Sequence, residues 1–238
     1  MLSLSRPYKY SGIVPPNDPL HTEVDADSGE IAPIYVPIPG GKKVAQYAPT
    51  VAGSPVGYNP SQDCKGHFTS SKFQANNNCY NYACDIATNS YAQPGRMHGF
   101  FLKERGGPNG EIIVSGAKMD GLVWIGGDEV SVVDLVRYIL EHKSGHLVAL
   151  LISKPAVDWY GDYHWVRCDT LDCTSWSQKD GTDQVTNFDF GGNAIRHPRS
   201  AVWKVNQGPR SEKDPKDFIV NYDFCGFMFV PDGKVNII

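Results

Sequence analysis

The chain has 238 residues, 41% hydrophobic and 20% charged, which suits a folded protein with a substantial core. Its 22 Lys and Arg against 26 Asp and Glu leave a net charge of −4 with the basic residues scattered, which argues against a nucleic-acid groove or an anionic membrane surface. No apolar run reaches membrane-spanning length, so no membrane insertion is expected. The first eight residues lack the basic-then-apolar pattern of a classical signal peptide, so a soluble chain is expected, its location left open, with a leaderless export route or virion association among the options.

In chain order, residues 1–62 read as a Pro-rich N-terminal extended arm. They carry Pro15-Pro16, Pro19, Pro33, Pro37 and Pro39 without helical periodicity, and 34–38 looks like an edge-strand piece, since proline cannot donate within a central ladder. Residues 63–238 form the domain proper. Three asparagines, Asn76-Asn77-Asn78, suit a helix N-cap, and Ala83, Ile86, Ala87 and Ser90 recur at helical spacing behind Cys79, predicting a helix over about 77–90. Gln93-Pro94-Gly95 stops it. Short strands are expected at 112–114 and 122–125. A second helix is expected over about 129–142, capped by Asp128 and carrying an apolar stripe of Val132, Val133, Val136, Ile139 and Leu140. The remainder reads as strands at 147–152, 163–169, 175–179, 183–188, 201–205 and 224–230, separated by Gly, Asp and Pro turns. Helices first and antiparallel strands afterwards is an α+β pattern.

Cys79 carries the most pointed chemical signal. A cysteine in the first turn of a helix sits at the positive end of the dipole, which favours the nucleophilic thiolate. His146 opens the apolar strand at 147–152, and in a regular hairpin register with 163–169 it lies opposite Asp169, a carboxylate able to orient an imidazole. Cys79, His146 and Asp169 therefore make a nucleophile, base and orienter. A rival set uses His164 as base with Gln178 on the next strand, and a third lets His164 polarise His146. Strand alternation places His164 and Asp169 on opposite faces and favours His146. Gln74 is the candidate oxyanion-hole amide beside the Cys79 backbone N–H.

The other cysteines (Cys64, Cys84, Cys168, Cys173 and Cys225) read as mostly structural thiols, and neither Cys79/Cys84 nor Cys168/Cys173 has C-x-x-C spacing. The Asp residues show no D-x-D-x-D-G calcium pattern, and His67, His98, His142 and His197 read as surface or loop residues. No metal or organic cofactor is expected. Trp159, Tyr160, Tyr163, Trp165, Trp176 and Trp203 suit packing better than a binding cleft.

The stretch Asn78-Cys79-Tyr80-Asn81-Tyr82-Ala83, the later Gly145-His146-Leu147-Val148-Ala149 strand and a polar residue on the strand after it resemble the papain-like superfamily of cysteine hydrolases. The likeness is to its divergent bacterial branches, of NlpC/P60, CHAP and toxin type, and covers roughly residues 64–230. It implies a papain-like core with the nucleophile helix packed on an antiparallel β-sheet. It also implies Cys79 as nucleophile, His146 as base, and Asp169 or His164 as third member. The expected activity is cleavage of a peptide, isopeptide or other amide bond through a thioester acyl-enzyme, with peptide or peptidoglycan-peptide substrates. A glutamine deamidase or transglutaminase would use the same pair. The competing expectation is a non-enzymatic structural or interaction module, a virion or secretion-apparatus component, with a buried Cys79 and a protein partner bound through the N-terminal arm.

Overall fold

The computed structural model describes residues 34–47, 50–52, 68, 74–156, 159–211 and 214–238. In chain order the strands are β1 (Ile34–Ile38), β2 (Lys42–Gln46), β3 (Val51–Ala52), β4 (Ile86–Ala87), β5 (Val123–Gly126), β6 (Gly145–Ser153), β7 (Asp162–Cys168), β8 (Trp176–Lys179), β9 (Val185–Thr186), β10 (Lys204–Ser211), β11 (Asp214–Asn221) and β12 (Asp223–Pro231). The α-helices are α1 (Cys79–Cys84), α2 (Gly110–Met119) and α3 (Val132–Glu141). None of them is long and apolar enough to cross a membrane. The α+β class holds, with strands dominating.

An antiparallel six-stranded sheet of order β5-β12-β6-β7-β8-β9 organises the protein. Its centre, β6, is buried from His146 to Ser153, which accounts for its unbroken apolar run: both faces are covered. One face presents Val148, Leu150, Ile152, Trp165, Met228 and Val230 to α1 and α2. The opposite face presents Leu147, Ala149, Leu151, Val166, Trp176, Phe227 and Phe229 to α3, to Trp203 just before β10, and to Val205 and Val220 of the β10–β11 ribbon. The β6–β7 register runs from Val148 opposite Arg167 to Ser153 opposite Asp162, the register expected from the sequence.

Several elements differ from expectation. The first helix stops at Cys84, because Asp85 turns left-handed (φ 56°) and its N–H closes on Asn81 and Tyr82 carbonyls. Ile86–Ala87 then pairs with β3. Asn81 fixes this reversal. Its amide donates to Ile86 O and Thr88 Oγ1, while its oxygen accepts from the Asn78 and Ala92 N–H groups. Asn77 and Asn78 act alike, Asn77 exchanging hydrogen bonds with Asn89 and Asn78 reaching Ala92 O.

Residues 112–114, expected as a strand, lie inside α2. Asn109 caps it by accepting from the Ile112 N–H, and Ile113, Gly116 and Ala117 form its buried face. The third helix starts at Ser131, not Asp128, through a capping box with Asp134. It buries Leu135 and Ile139 and leaves Val132, Val133 and Leu140 exposed, so the expected stripe is off by part of a turn. The ribbon of β10 and β11 was concealed by Pro209 and Pro215; register shifts on either side of Pro209 and a left-handed Gly208 (φ 72°) accommodate the first of these. Within the arm, β1 and β2 form a hairpin whose Ile38 and Val44 pack on Ile238. Much of the arm lies outside the described residues, as does Cys64.

Gly116 sets how closely α2 approaches the 93–95 turn. A Cβ there would meet Pro94 O at 2.6 Å and its carbonyl carbon at 2.8 Å. Helix propensity alone would make Gly116→Ala stabilising by about 1 kcal/mol. Overpacking against backbone reverses the sign, and a loss of about 1–3 kcal/mol is expected by urea denaturation.

Candidate functional site

Cys79 is the first residue of α1, as the sequence indicates, but its surroundings do not ionise it. Asn78 accepts from the Tyr80 and Asn81 N–H groups, so the cap consumes N-terminal donors of α1. The sulfur is buried (6% exposed) and its hydrogen-bond partner is Tyr163 O at a long 4.0 Å. Burial pushes the thiol up to about 12, helped by the negative charge of Asp162, with the Trp165 backbone and Lys179 pulling the other way. At neutral pH the group is a thiol. A six-residue helix with satisfied N–H groups does not offset the desolvation.

His146 shares the α1 face of the sheet, as strand alternation requires, but serves the other end of the helix. Its Nε2–H donates to Ala83 O at 2.6 Å, capping a C-terminal carbonyl of α1. Tyr163, beside the Cys79 sulfur, pairs with Ile152, six positions along β6 from His146, which is about 20 Å of strand. The two residues are thus bound to opposite ends of α1. Burial, then the charge of Arg167, lowers the imidazole to about 4, so it is neutral.

Asp169 lies just past the end of β7, where the register would place it opposite His146. The β6–β7 pairing has by then ended, while the Asp169 N–H continues the β7–β8 side by donating to Ser175 O. The carboxylate accepts from Ser177 Oγ at 2.7 Å, and Ser177 is bonded to Tyr82 OH at 2.6 Å. Arg167 completes this chain of contacts. Its buried guanidinium donates to Tyr82 OH at 2.9 Å and Asp85 at 3.0 Å, and lies 3.9 Å from the centre of the Tyr82 ring. Asp169 therefore helps to hold α1 on the sheet instead of orienting an imidazole.

The rival pairing of His164 with Gln178 is present, with Nε2 and Oε1 2.6 Å apart. It sits on the sheet face remote from α1, where the His164 ring packs among Phe190, Trp203 and Tyr222. Gln178 also donates to Phe188 O. Gln74, the expected oxyanion donor, gives its side-chain amide to Thr182 O at 3.3 Å. The structure places Cys79, His146, Asp169, Gln74 and the His164–Gln178 pair in separate contacts and does not bring them together as one constellation.

Lys179 was missed. It is buried at the end of β8 and its ammonium donates to Gln74 O, Asn77 O and Gly181 O at 2.6, 2.6 and 2.9 Å. Burial lowers it to about 7. It ties the segment leading into α1 to the sheet. The available signal was Trp176-Ser177-Gln178-Lys179, a strand whose four residues are all buried although three are polar. Among the described residues no group of His, Cys, Asp and Glu is placed to hold a metal ion.

No family model matches the chain, and no solved structure matches it. The chain is 34% identical over 165 residues, covering 68% of its own length and 86% of the relative's, to insoluble matrix shell protein 1 of Ruditapes philippinarum. It belongs to the family of that shell protein.

Two measurements probe these assignments. An unfolded imidazole protonates near pH 6.5, whereas folded His146 does so near 4. Between those values the unfolded state binds the extra proton. The contribution to stability is therefore complete above pH 6.5 and is lost as pH falls toward 4, roughly 3 kcal/mol in all. His146→Gln, which keeps an amide donor for Ala83 O, should flatten that part of the acid limb in urea titrations. Lys179→Met retains the stem and removes three hydrogen bonds. The unpaired carbonyls should lower stability by about 3 kcal/mol at pH 6, where the wild-type amine is charged.

Proposed function

We propose that the chain is a non-enzymatic structural module, a component of an insoluble shell-type matrix. The observation that carries this reading is the state of Cys79: a buried, protonated thiol whose candidate base is committed to Ala83 O. A cysteine hydrolase needs thiolate and imidazole close enough to exchange a proton. A deamidase or transglutaminase working through the same pair has the same requirement. The polar residues that looked catalytic instead bind α1, the turn at 85–92 and the central sheet into one unit. Kinship with insoluble matrix shell protein 1 supports a matrix role over that of a virion or secretion-apparatus part.

Such a module contributes shape, durability and surface, with no turnover. Its buried polar contacts make the fold demanding to unravel locally, because each one broken leaves a desolvated group unpaired. The β1–β2 hairpin leaves Ile34 and Tyr35 exposed and provides apolar surface for neighbouring components.

Thiol kinetics and extraction test the reading together. In the native full-length chain, Cys79 should react with iodoacetamide no faster than buried Cys84, with no labelling pKa below about 8.5. In source tissue extracted successively with salt, detergent and EDTA, antibody should find the chain in the insoluble residue. A single fast cysteine mapped to Cys79, or recovery of the chain in the salt extract, would overturn the proposal.

A further inference from the structure

Cys168 and Cys173 lie on the same side of the β7–β8 connection, and neither has a part in the module described above. Cys168 ends β7, paired with Trp176 of β8. The connection folds back so that the Cys173 N–H donates to Thr170 O at 3.1 Å, while Cys168 Sγ contacts the same carbonyl at 3.2 Å. Cys173 holds a left-handed conformation (φ 58°), uncommon for a residue with a side chain. That conformation aims its thiol inward, and Trp176 Nε1 fixes it by donating to Cys173 O at 2.9 Å. Both cysteines join the core cluster under the sheet, and both are gathered around Thr170 O.

We infer that Cys168 and Cys173 are a disulfide-forming pair, closed by a small-molecule disulfide such as oxidised glutathione while the β7–β8 hairpin forms or transiently opens. The native connection already gathers both residues at one carbonyl, Thr170 O, within one core cluster, which favours closure over that of a pair held apart. Cys173 is the attacking partner, since it lies within the connection through which the disulfide enters, whereas Cys168 is paired with Trp176 at the end of β7. Its thiolate attacks one sulfur of the glutathione disulfide, forming a mixed disulfide and releasing one glutathione thiolate. Deprotonated Cys168 then attacks the Cys173 sulfur and releases the second glutathione. Two cysteine thiols are oxidised, one glutathione disulfide is reduced, and the two protons end on the two glutathione thiols. Entry is through the connection itself, whose Leu171 is 66% exposed although both cysteines are covered.

The chain contains its own control. Cys79 and Cys84 have the same five-residue separation, so in an unstructured chain the two pairs would close equally well. In the fold, Cys79 and Cys84 occupy opposite ends of α1, about 140° apart around its axis at 100° per residue. The full chain, unfolded and reduced, should be refolded in a glutathione redox buffer, trapped with iodoacetamide and mapped by mass spectrometry. A parallel sample should be oxidised in urea.

The expected result is a Cys168–Cys173 link, 2 Da lighter than the dithiol, exceeding Cys79–Cys84 at least tenfold after refolding and roughly equal to it in urea. The melting temperature of the oxidised chain should exceed that of the reduced chain by several degrees. Because the wild-type chain is used throughout, no outcome depends on a variant folding. Equal yields of the two links after refolding, a glutathione adduct at Cys173 that never closes, or two cysteines that remain thiols would each overturn the inference.

Discussion

The seating of a helix less than two turns long on a fully covered sheet is the constraint on which the rest of the structure depends. Isolated, a six-residue helix has no stability of its own. Here it is held by Asn78 at its start, by His146 and the Asp85 turn at its end, and by Arg167 beneath it. The guanidinium is fully buried, and a buried cation is tolerated only where partners surround it. Tyr82 and Asp85 meet that need, and Ser177 and Asp169 continue the chain of bonds from Tyr82 OH, which fixes α1 against β7 and β8.

The same residues explain why the site resembled catalytic machinery. A neutral imidazole donating to a helix carbonyl, a carboxylate on the adjoining chain and a cysteine opening the helix are the parts list of a thiol hydrolase. Proximity distinguishes the two cases. Chemistry requires the imidazole at the sulfur, where a proton can move. In this chain the helix itself separates them, and the low dielectric around Cys79 favours the uncharged thiol.

Much of the architecture was legible in the sequence. The continuous apolar run at 147–152 marked a strand covered on both faces, and hairpin counting gave its register with 163–169. Strand parity separated His146 from His164 correctly, and the His164–Gln178 contact was anticipated. Side-chain destinations were not legible. A histidine at a strand mouth reads the same whether it faces a thiol or a carbonyl, and only the length of α1 decides. That length was hidden because Asn81 bonds forward to Ile86 and Thr88, so residues with helical spacing beyond Cys84 belong to a returning chain. In α2, Gly116 interrupts the apolar pattern because the neighbouring turn leaves no room for a larger side chain. The β10–β11 ribbon escaped because proline argues against regular pairing, and the chain accommodates it with irregular register.

The borders of the central sheet have a consequence for how copies of this protein could be joined. One border is the four-residue β5 and the other the two-residue β9. Borders so brief offer few open amide and carbonyl groups to an incoming chain, which guards against runaway stacking of sheets. In the matrix role proposed above, junctions between copies would then fall to exposed side chains such as Ile34 and Tyr35 of the β1–β2 hairpin. Cohesion would come from many modest junctions, with each fold preserved intact inside the solid.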